Sequence, residues 1–291
     1  MKIVLIGYRG LLGQDLDATL SERPNLELIR FNSETLDIRE ASCIDTLVSL
    51  KADWIVNASA YTAVDAAEDD KDAAMALNAL GAENLAKAAK LSGATLIHFS
   101  TDYVFDGTKD TAYLEDDVPN PLNVYGASKL AGELAIDEQC SDYYIFRIQW
   151  LYGHGKANFV NTVLKLANNE GDINMVADQF GSLSWTADIA KSIAKIIQAP
   201  IPFGTYHLAS KGYANWADIT RHILRQIGSN KAVHDCKTDS YPRPAKRPLN
   251  SRLNVNKLNN ATGLEIGDWD SRLDAFLATL SLATNTGKNS E

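Results

Sequence analysis

The first apolar run of this chain leads straight into a glycine-rich turn. Residues Ile3–Ile6 are followed by Gly7-Tyr-Arg-Gly10-Leu-Leu-Gly13, and a helical pattern begins near Leu11. At a strand-to-helix junction, Gly7 permits a tight turn, Gly10 lets backbone N–H groups approach a pyrophosphate, and Gly13 allows the helix to pack closely on the strand. The turn therefore predicts the start of a dinucleotide-binding α/β fold.

Apolar runs continue to alternate with helical patterns through the first half of the chain. We expect further strands at Leu26–Phe31, Trp54–Ala58, Thr95–Ser100 and Tyr144–Ile148, with helices between them such as Leu77–Leu91. Strands that are almost continuously apolar and separated by helices indicate a parallel sheet covered on both faces. The pattern predicts a Rossmann-type, doubly wound α/β sheet.

The regular alternation loosens after Trp150, which divides the chain into two parts. We expect an NAD(P)-binding Rossmann domain over 1–150, joined by about 185–205, and a smaller mixed α/β lobe for the substrate over most of 151–291. A polar tail, Ala283–Glu291, is expected to be mobile. The elements predicted for the second part are helices at Phe159–Asn168, Ala187–Ala199, Trp216–Ile227 and Trp269–Leu282 and a strand at Thr205–Ala209.

Charge, hydropathy and cysteine content exclude several classes of protein. A net charge of -9 argues against nucleic acid as a partner, because phosphate backbones bind basic surfaces. No apolar run is long enough to cross a bilayer. Cys43, Cys140 and Cys236 are far apart and odd in number, which predicts neither a disulfide framework nor a metal site. We expect a cytoplasmic protein.

A tyrosine and a lysine four residues apart supply a candidate catalytic pair. Tyr125 and Lys129 share one face if a helix begins after Pro121. A neighbouring ammonium favours the phenolate, so we expect Lys129 to lower the pKa of Tyr125 toward working pH, where the phenol can exchange a proton with a carbonyl oxygen. Thr101 and Asp102 follow a predicted strand at the sheet edge where such folds hold ligands. Thr101 could bind the same carbonyl, and Asp102 could orient sugar hydroxyls.

The second strand suggests which cofactor is used. NAD-specific sites place a carboxylate at its end to hold the 2'-hydroxyl, whereas this chain has Arg30 there and no carboxylate until Glu34. We therefore expect NADPH to be accepted, with NADH as the alternative. The alternative interpretation is that Arg30 is an exposed arginine that binds no ligand.

Taken together, the glycine turn, the hydroxyl and the Tyr/Lys pair resemble the extended short-chain dehydrogenases/reductases. Five further stretches are similar to the dTDP-4-dehydrorhamnose reductase family, in the family's order and over almost the whole chain. The stretches are Asn57–Asp65, Ser100–Gly107, Pro121–Gly126, Asp178–Gly181 and Arg247–Leu253.

The resemblance implies a reaction and a role for individual residues. Members of the family reduce C4 of dTDP-4-dehydro-L-rhamnose to give dTDP-L-rhamnose, with hydride from a nicotinamide. By resemblance, Tyr125 is the proton donor and Lys129 holds the nicotinamide ribose, while Thr101, Asp102 and Trp150 contact the sugar. The cofactor-binding residues implied are Gly10, Leu11 and Leu12 at the pyrophosphate, with Gly7 and Gly13 in the same turn, Asp37 and Ile38 at the adenine, and Ala58, Ala60, Tyr61 and Thr62 along the cleft.

A basic loop offers cations for the diphosphate of such a substrate. Arg243, Lys246 and Arg247 cluster in an otherwise acidic chain and form a candidate clamp; a solvated loop is the alternative. The chain departs from the family pattern at Leu183-Ser184, where Pro-Thr is usual, and at Ile148-Gln149, where Thr-Ser is common. Both departures border the implied sugar pocket and leave the exact sugar open.

Two other functions remain open at this stage. An epimerase or dehydratase of nucleotide sugars would share the cofactor domain and the Tyr/Lys pair but would retain bound NAD. A non-catalytic homologue is also possible, because the family resembles the regulatory subunit of methionine adenosyltransferase. Some family members form a magnesium-bridged dimer near an acidic residue that matches Asp15. The partner carboxylates of that site do not line up clearly in this chain, so we allow for a homodimer and for magnesium but predict no metal site.

Overall fold

The computed structural model describes residues 1–264 and 266–286. Most of the second half of the chain forms a lobe of short strands and helices beside a larger sheet. The strands are β1 (Lys2–Ile6), β2 (Glu27–Phe31), β3 (Trp54–Asn57), β4 (Thr95–Thr101), β5 (Tyr143–Ile148), β6 (Leu151–Tyr152), β7 (Ile173–Val176), β8 (Phe180–Gly181), β9 (Ser184–Trp185), β10 (Gly204–His207), β11 (Ala214–Asn215) and β12 (Val233–Cys236).

The helices alternate with these strands. A π-helical turn, Ala76–Leu80, joins α3 to α4 without a break. The α-helices are α1 (Leu11–Ser21), α2 (Ser42–Leu50), α3 (Lys71–Met75), α4 (Gly81–Ser92), α5 (Val124–Gln139), α6 (Phe159–Asn168), α7 (Thr186–Gln198), α8 (Trp216–Gln226), α9 (Asn256–Thr262) and α10 (Trp269–Thr286).

Six parallel strands form the central sheet, in the order β10-β5-β4-β3-β1-β2. The strand order reverses between β1 and β3, and the glycine turn follows β1 at that point. In open sheets of this kind the crevice at the reversal, beyond the carboxyl ends of the strands, is the ligand site. The predicted Rossmann-type α/β fold is confirmed.

Alternate side chains of β1 enter two separate cores, because successive residues of a strand point to opposite faces. Ile3 and Leu5 pack with α1 and α7 on one face, and Val4 and Ile6 pack with α2, α4 and α5 on the other. Burial on both faces explains why this strand is apolar throughout. Helix α7 therefore covers the sheet although it follows β9 in the second half of the chain.

The second lobe has its own core around Trp185 and Phe276. Its strands form two-stranded pairs: β6 with β9, β7 with β12, and β8 with β11. The closing helix, predicted to end at Leu282, continues to Thr286. The start of the predicted tail is thus helical, and its remaining residues, 287–291, lie outside the described residues.

Candidate active site

The glycine turn has the geometry that the sequence predicts. Gly7 has a φ of 81°, and a Cβ on it would lie 2.7 Å from the Ser59 nitrogen. A Cβ on Gly13 would lie 2.1 Å from the Gly7 oxygen, so α1 approaches β1 more closely than a side chain would allow. The residue before α1 is Gly10, which has no side chain to cap the helix. The first backbone N–H groups of α1, those of Leu11 and its neighbours, are therefore suited to bind an anion.

The residue after Leu11 on α1, Leu12, has a side chain that points into the protein core. Leu12 is buried in the core between α1 and the sheet, so only its backbone N–H can serve a ligand. The turn fits a pyrophosphate because it combines close backbone approach with the positive end of a helix dipole.

A second loop of the cleft follows β3, and the π-helical turn fixes it in place. The side chain of Asn78 accepts a hydrogen bond from the Tyr61 nitrogen at 2.8 Å and donates to the Tyr61 oxygen at 3.1 Å. The same amide donates to Ser128 Oγ on α5 at 2.9 Å. Asn78 thus ties the loop that carries Ala58, Ala60, Tyr61 and Thr62 to the helix of the Tyr/Lys pair. Sequence reasoning missed it, because a π-helical turn has no simple residue pattern.

Asp37 and Ile38 lie on the loop after β2. The Arg39 guanidinium holds the pKa of the Asp37 carboxyl below its usual range, with Nη2 2.6 Å from Oδ2. Ile38 is buried, and its carbonyl accepts a hydrogen bond from Asn84 at 2.9 Å. Asn84 on α4 therefore anchors the loop that would border the adenine.

The two arginines near β2 have different surroundings. Arg30 donates to Asp17 Oδ1 at 2.5 Å and to Ser21 Oγ at 2.6 Å, both on α1 beyond the glycine turn. Arg9 lies within the turn itself, is exposed, and donates to Glu34 Oε2 at 2.8 Å. Sequence reasoning singled out Arg30 and passed over Arg9.

Helix α5 carries the Tyr/Lys pair. Asn123 caps its first turn by accepting a hydrogen bond from the Gly126 nitrogen at 2.8 Å. A Cβ on Gly126 would lie 2.1 Å from the Tyr103 oxygen, so glycine allows α5 to approach the loop after β4. Lys129 is 1% exposed, and Tyr125 packs edge-on against Tyr103.

The acidity of Tyr125 differs from the expectation. Burial raises the pKa of Tyr125 to about 12, and hydrogen bonding to Thr101 offsets only part of that rise. Lys129 does not counteract it, because Lys129 Nζ lies 3.0 Å from Nε2 of His98 instead. The expected lowering of the tyrosine pKa by Lys129 is therefore wrong for this arrangement. His98 was missed, since one histidine in a strand gives no pattern.

Thr101 and Asp102 lie at the carboxyl end of β4 and are buried. Thr101 Oγ1 donates to Asp102 Oδ1 at 3.0 Å and accepts from the Tyr103 nitrogen at 3.2 Å. Burial raises the pKa of Asp102 to about 7. The structure thus brings Thr101, Asp102 and Tyr125 together at one end of the sheet.

Trp150 lies where the chain passes from the sheet to the second lobe, with a φ of 46°. Its ring stacks on Trp216 at a centroid distance of 3.7 Å, and a Cβ on Gly181 would lie 2.7 Å from it. The neighbouring Gln149 accepts a hydrogen bond from the Ser182 nitrogen at 3.1 Å. Its Nε2 is buried without a hydrogen-bond partner among the described residues. The amide nitrogen of Gln149 is therefore available to a ligand at Ile148-Gln149, one of the two departures from the family pattern.

Members of the basic loop are held differently. Arg247 donates from Nη1 and Nη2 to both carboxylate oxygens of Asp65, at 2.6 and 2.9 Å, which lowers the pKa of Asp65. Arg243 and Lys246 are exposed. Arg247 thus ties this loop to Asp65 on the loop after β3, whereas the side chains of Arg243 and Lys246 are exposed to solvent.

The described residues contain neither a membrane-spanning helix nor a cluster of potential metal ligands. Within residues 1–264 and 266–286, no helix combines the length and apolar character that crossing a bilayer requires. The described part of the chain also brings together no group of three or more His, Cys, Asp or Glu side chains that could hold a metal ion.

A family model described as the RmlD substrate binding domain matches residues 1–282. With the parallel sheet, the glycine turn and the Tyr/Lys pair, this match defines an oxidoreductase of the extended short-chain dehydrogenase/reductase type. The dTDP-4-dehydrorhamnose reductase of Shigella flexneri is 38% identical to the chain, over 98% of this chain and 99% of the relative. The chain belongs to the dTDP-4-dehydrorhamnose reductase family.

Solved structures agree with this assignment. The dTDP-4-dehydrorhamnose reductase of Clostridium acetobutylicum has a TM-score of 0.93 at 36% identity and covers 97% of this chain and 100% of its own. The enzyme of Bacillus anthracis, solved in complex with NADP, has a TM-score of 0.90 at 34% identity, with coverages of 96% and 99%. The similarity therefore extends over both lobes.

Proposed function

We propose that the protein reduces the 4-keto group of dTDP-4-dehydro-L-rhamnose to give dTDP-L-rhamnose. Hydride comes from a reduced nicotinamide and the proton comes from Tyr125. The observation that carries the proposal is the placement of Tyr125, one turn before the buried Lys129 on α5, within hydrogen-bonding reach of Thr101 at the carboxyl end of β4. The glycine turn opens at the same end of the sheet, as a reaction between cofactor and ketone requires.

The residues of the cleft fit a nicotinamide dinucleotide. The first turn of α1 would hold the pyrophosphate, the loop at Asp37 and Ile38 the adenine, and Lys129 the nicotinamide ribose. When bound, the cofactor supplies the hydride. The Bacillus anthracis relative was solved with NADP, which supports NADPH for this chain, with NADH as the alternative.

Proton transfer rests on three side chains. Tyr125 would donate its proton to the carbonyl oxygen, while Thr101 would turn its hydroxyl from Asp102 Oδ1 to donate a second hydrogen bond to that oxygen. Loss of the proton leaves a buried phenolate, which the Lys129 ammonium would stabilise. The burial that raises the pKa of Tyr125 keeps it protonated, as a proton donor must be before the reaction.

The second lobe would select the sugar nucleotide. Asp102 and Trp150 would contact the sugar, and Arg243 and Arg247 would lie near its diphosphate. In this proposal the cofactor domain comprises residues 1–150 with about 185–205, and most of 151–291 belongs to the substrate lobe. We assign the reaction to the cytoplasm, because Cys43, Cys140 and Cys236 are free thiols.

Oxidation of NADPH tests the proposal. Purified protein is mixed with NADPH and dTDP-4-dehydro-L-rhamnose, and the absorbance of the reduced nicotinamide is followed. Loss of NADPH equal to the dTDP-L-rhamnose formed supports the reductase. Tightly retained NAD with no net oxidation would instead indicate an epimerase or dehydratase, and binding without turnover would indicate a regulatory homologue.

A further inference from the structure

Lys129 has a close neighbour that the proposed reaction does not use. Its Nζ lies 3.0 Å from Nε2 of His98 on β4, and both side chains are 1% exposed. A buried contact between two nitrogen bases needs a hydrogen between them, and which atom carries it decides the charge of the lysine.

The neighbours of His98 decide where its proton lies. The Ser59 backbone N–H can only donate, and it lies 3.0 Å from Asn57 Oδ1, so this atom is the amide oxygen. Asn57 Nδ2 therefore faces His98 Nδ1, at 3.0 Å. An amide nitrogen can only donate, so His98 Nδ1 accepts and carries no hydrogen. Neutral His98 then has its hydrogen on Nε2.

This tautomer makes His98 a donor toward Lys129. The Nε2–H group can form the hydrogen bond only if Lys129 Nζ accepts it, which an ammonium cannot do and a neutral amine can. A doubly protonated His98 is excluded by the Asn57 donor at Nδ1, and burial keeps the pKa of His98 well below its usual value. The hydrogen-bond pattern is therefore consistent with Lys129 as a neutral amine.

The charged groups around the pair act in both directions. Burial lowers the pKa of Lys129 to about 8, and Glu133, one turn further along α5, opposes this. Arg147 on β5 donates to both carboxylate oxygens of Glu133, with Nη2 2.7 Å from Oε2, which compensates much of that negative charge. The facing residue on β3, Asn57, is uncharged. Donation from His98 therefore adds to the effect of burial.

We propose that His98 is a positioning residue that holds Lys129 as a neutral amine, and that Lys129 becomes an ammonium only when it turns from His98 toward a bound nicotinamide cofactor. In that step Lys129 takes up one proton from the buffer, while His98 keeps its own. The inference rests on the proposed function for the cofactor, and it adds that cofactor binding charges the lysine that stabilises the Tyr125 phenolate.

The tautomer of His98 can be tested without any cofactor. Nuclear magnetic resonance of the full chain with isotope-labelled histidine shows which ring nitrogen carries hydrogen, and the signal that disappears in His98→Gln identifies His98. We expect a neutral ring protonated at Nε2 throughout the range from about pH 6 to about pH 9. Hydrogen on Nδ1, or a cationic ring near neutral pH, would overturn the inference even if the protein proves to be an active reductase.

Proton uptake on cofactor binding tests the charge of Lys129. Calorimetric titration of the protein with NADPH in buffers of different ionisation enthalpy measures the protons taken up. At about pH 8 the 2'-phosphate is already fully ionised, and the lysine is poised to titrate. We expect uptake of a large fraction of a proton per site in the wild type. Absence of uptake with normal binding would refute the inference, whereas failure of both NADPH and NADH to bind would refute the proposed function and leave the tautomer measurement to decide.

Three variants distinguish a role of His98 in setting the charge of Lys129 from a role in folding stability alone. His98→Leu removes the donor and leaves burial as the main cause that keeps Lys129 neutral, so proton uptake should be smaller than in the wild type. His98→Gln keeps an N–H group that does not titrate and should restore uptake. Asn57→Asp accepts from Nδ1–H, which moves the bare nitrogen to Nε2, so uptake should fall although His98 is present. Equal uptake in folded wild type, His98→Leu and Asn57→Asp would overturn the inference.

Discussion

Arg30 is bound to Asp17, with Nε 2.5 Å from Oδ1, and Ser21 accepts from the same guanidinium. This pairing directs the side chain along α1, away from the glycine turn. Arg9 lies in the turn and reaches across to Glu34 on the loop after β2, where the ribose of the adenosine would lie. Arg9 is therefore better placed than Arg30 to meet a 2'-phosphate.

Replacing the two arginines should separate their roles. Arg9→Ala should raise KM for NADPH several-fold and leave KM for NADH nearly unchanged, because only NADPH offers a phosphate to a guanidinium. Arg30→Ala should change the two values alike. The measurement is the pair of KM values for each variant; a selective loss of NADPH use in Arg30→Ala would restore the first interpretation of that residue.

Removal of the Tyr125 hydroxyl tests the proton donor. Tyr125→Phe should lower kcat by roughly two to four orders of magnitude, the usual contribution of a positioned acid, with the Kd for NADPH close to that of the wild type. Tyr152→Phe is the matched control, because the Tyr152 hydroxyl is buried without a hydrogen-bond partner among the described residues. A Tyr125→Phe enzyme that keeps most of its turnover would rule out this assignment.

Arg243 and Arg247 should respond differently to substitution. Arg243→Gln should raise KM for the dTDP-sugar roughly tenfold through loss of a charge-assisted hydrogen bond to the diphosphate, without lowering Tm. Arg247→Gln should also lower Tm, because it leaves Asp65 without its bidentate partner. Thermal unfolding and steady-state kinetics check the pair. Unchanged KM in Arg243→Gln would favour a solvated loop.

The raised pKa of Asp102 should affect stability as pH changes. The folded protein holds a proton on Asp102 up to about pH 7, whereas the unfolded chain releases it near the usual pKa of about 3.9. The contribution of this group is thus fully present below about pH 4, and it is lost as pH rises to about 7, with a slope of up to about 1.4 kcal/mol per pH unit. Urea unfolding of wild type and Asp102→Asn should show free energies of unfolding that diverge over this window, and parallel curves would contradict the assignment.

The sequence allowed prediction of those features that local patterns determine. Strands β1 to β5, the glycine turn and the helix of Tyr125 and Lys129 follow from apolar periodicity and from short motifs, and the structure confirms them. Family membership is confirmed as well, since the motifs that carry it run through most of the chain.

Features that depend on contacts distant in sequence could not be predicted. Asn78 acts on Tyr61 and Ser128 through a π-helical turn, and His98 meets Lys129 only because α5 packs on β4. The direction of the Arg30 side chain depends on Asp17, thirteen residues away. Sequence patterns give the residue types present but not the partner that each polar group finds in the fold.

Strand β10 pairs with β5 at one edge of the central sheet, and α7 covers the adjacent core. A nascent chain leaving the ribosome therefore lacks an outer strand of its nucleotide-binding sheet until residue 207 has been synthesised. Expression of a fragment ending near residue 150 would leave β5 with unpaired N–H and C=O groups, and such an edge promotes self-association. Fusion partners and cleavage sites are better placed at the ends of the chain than between its two lobes.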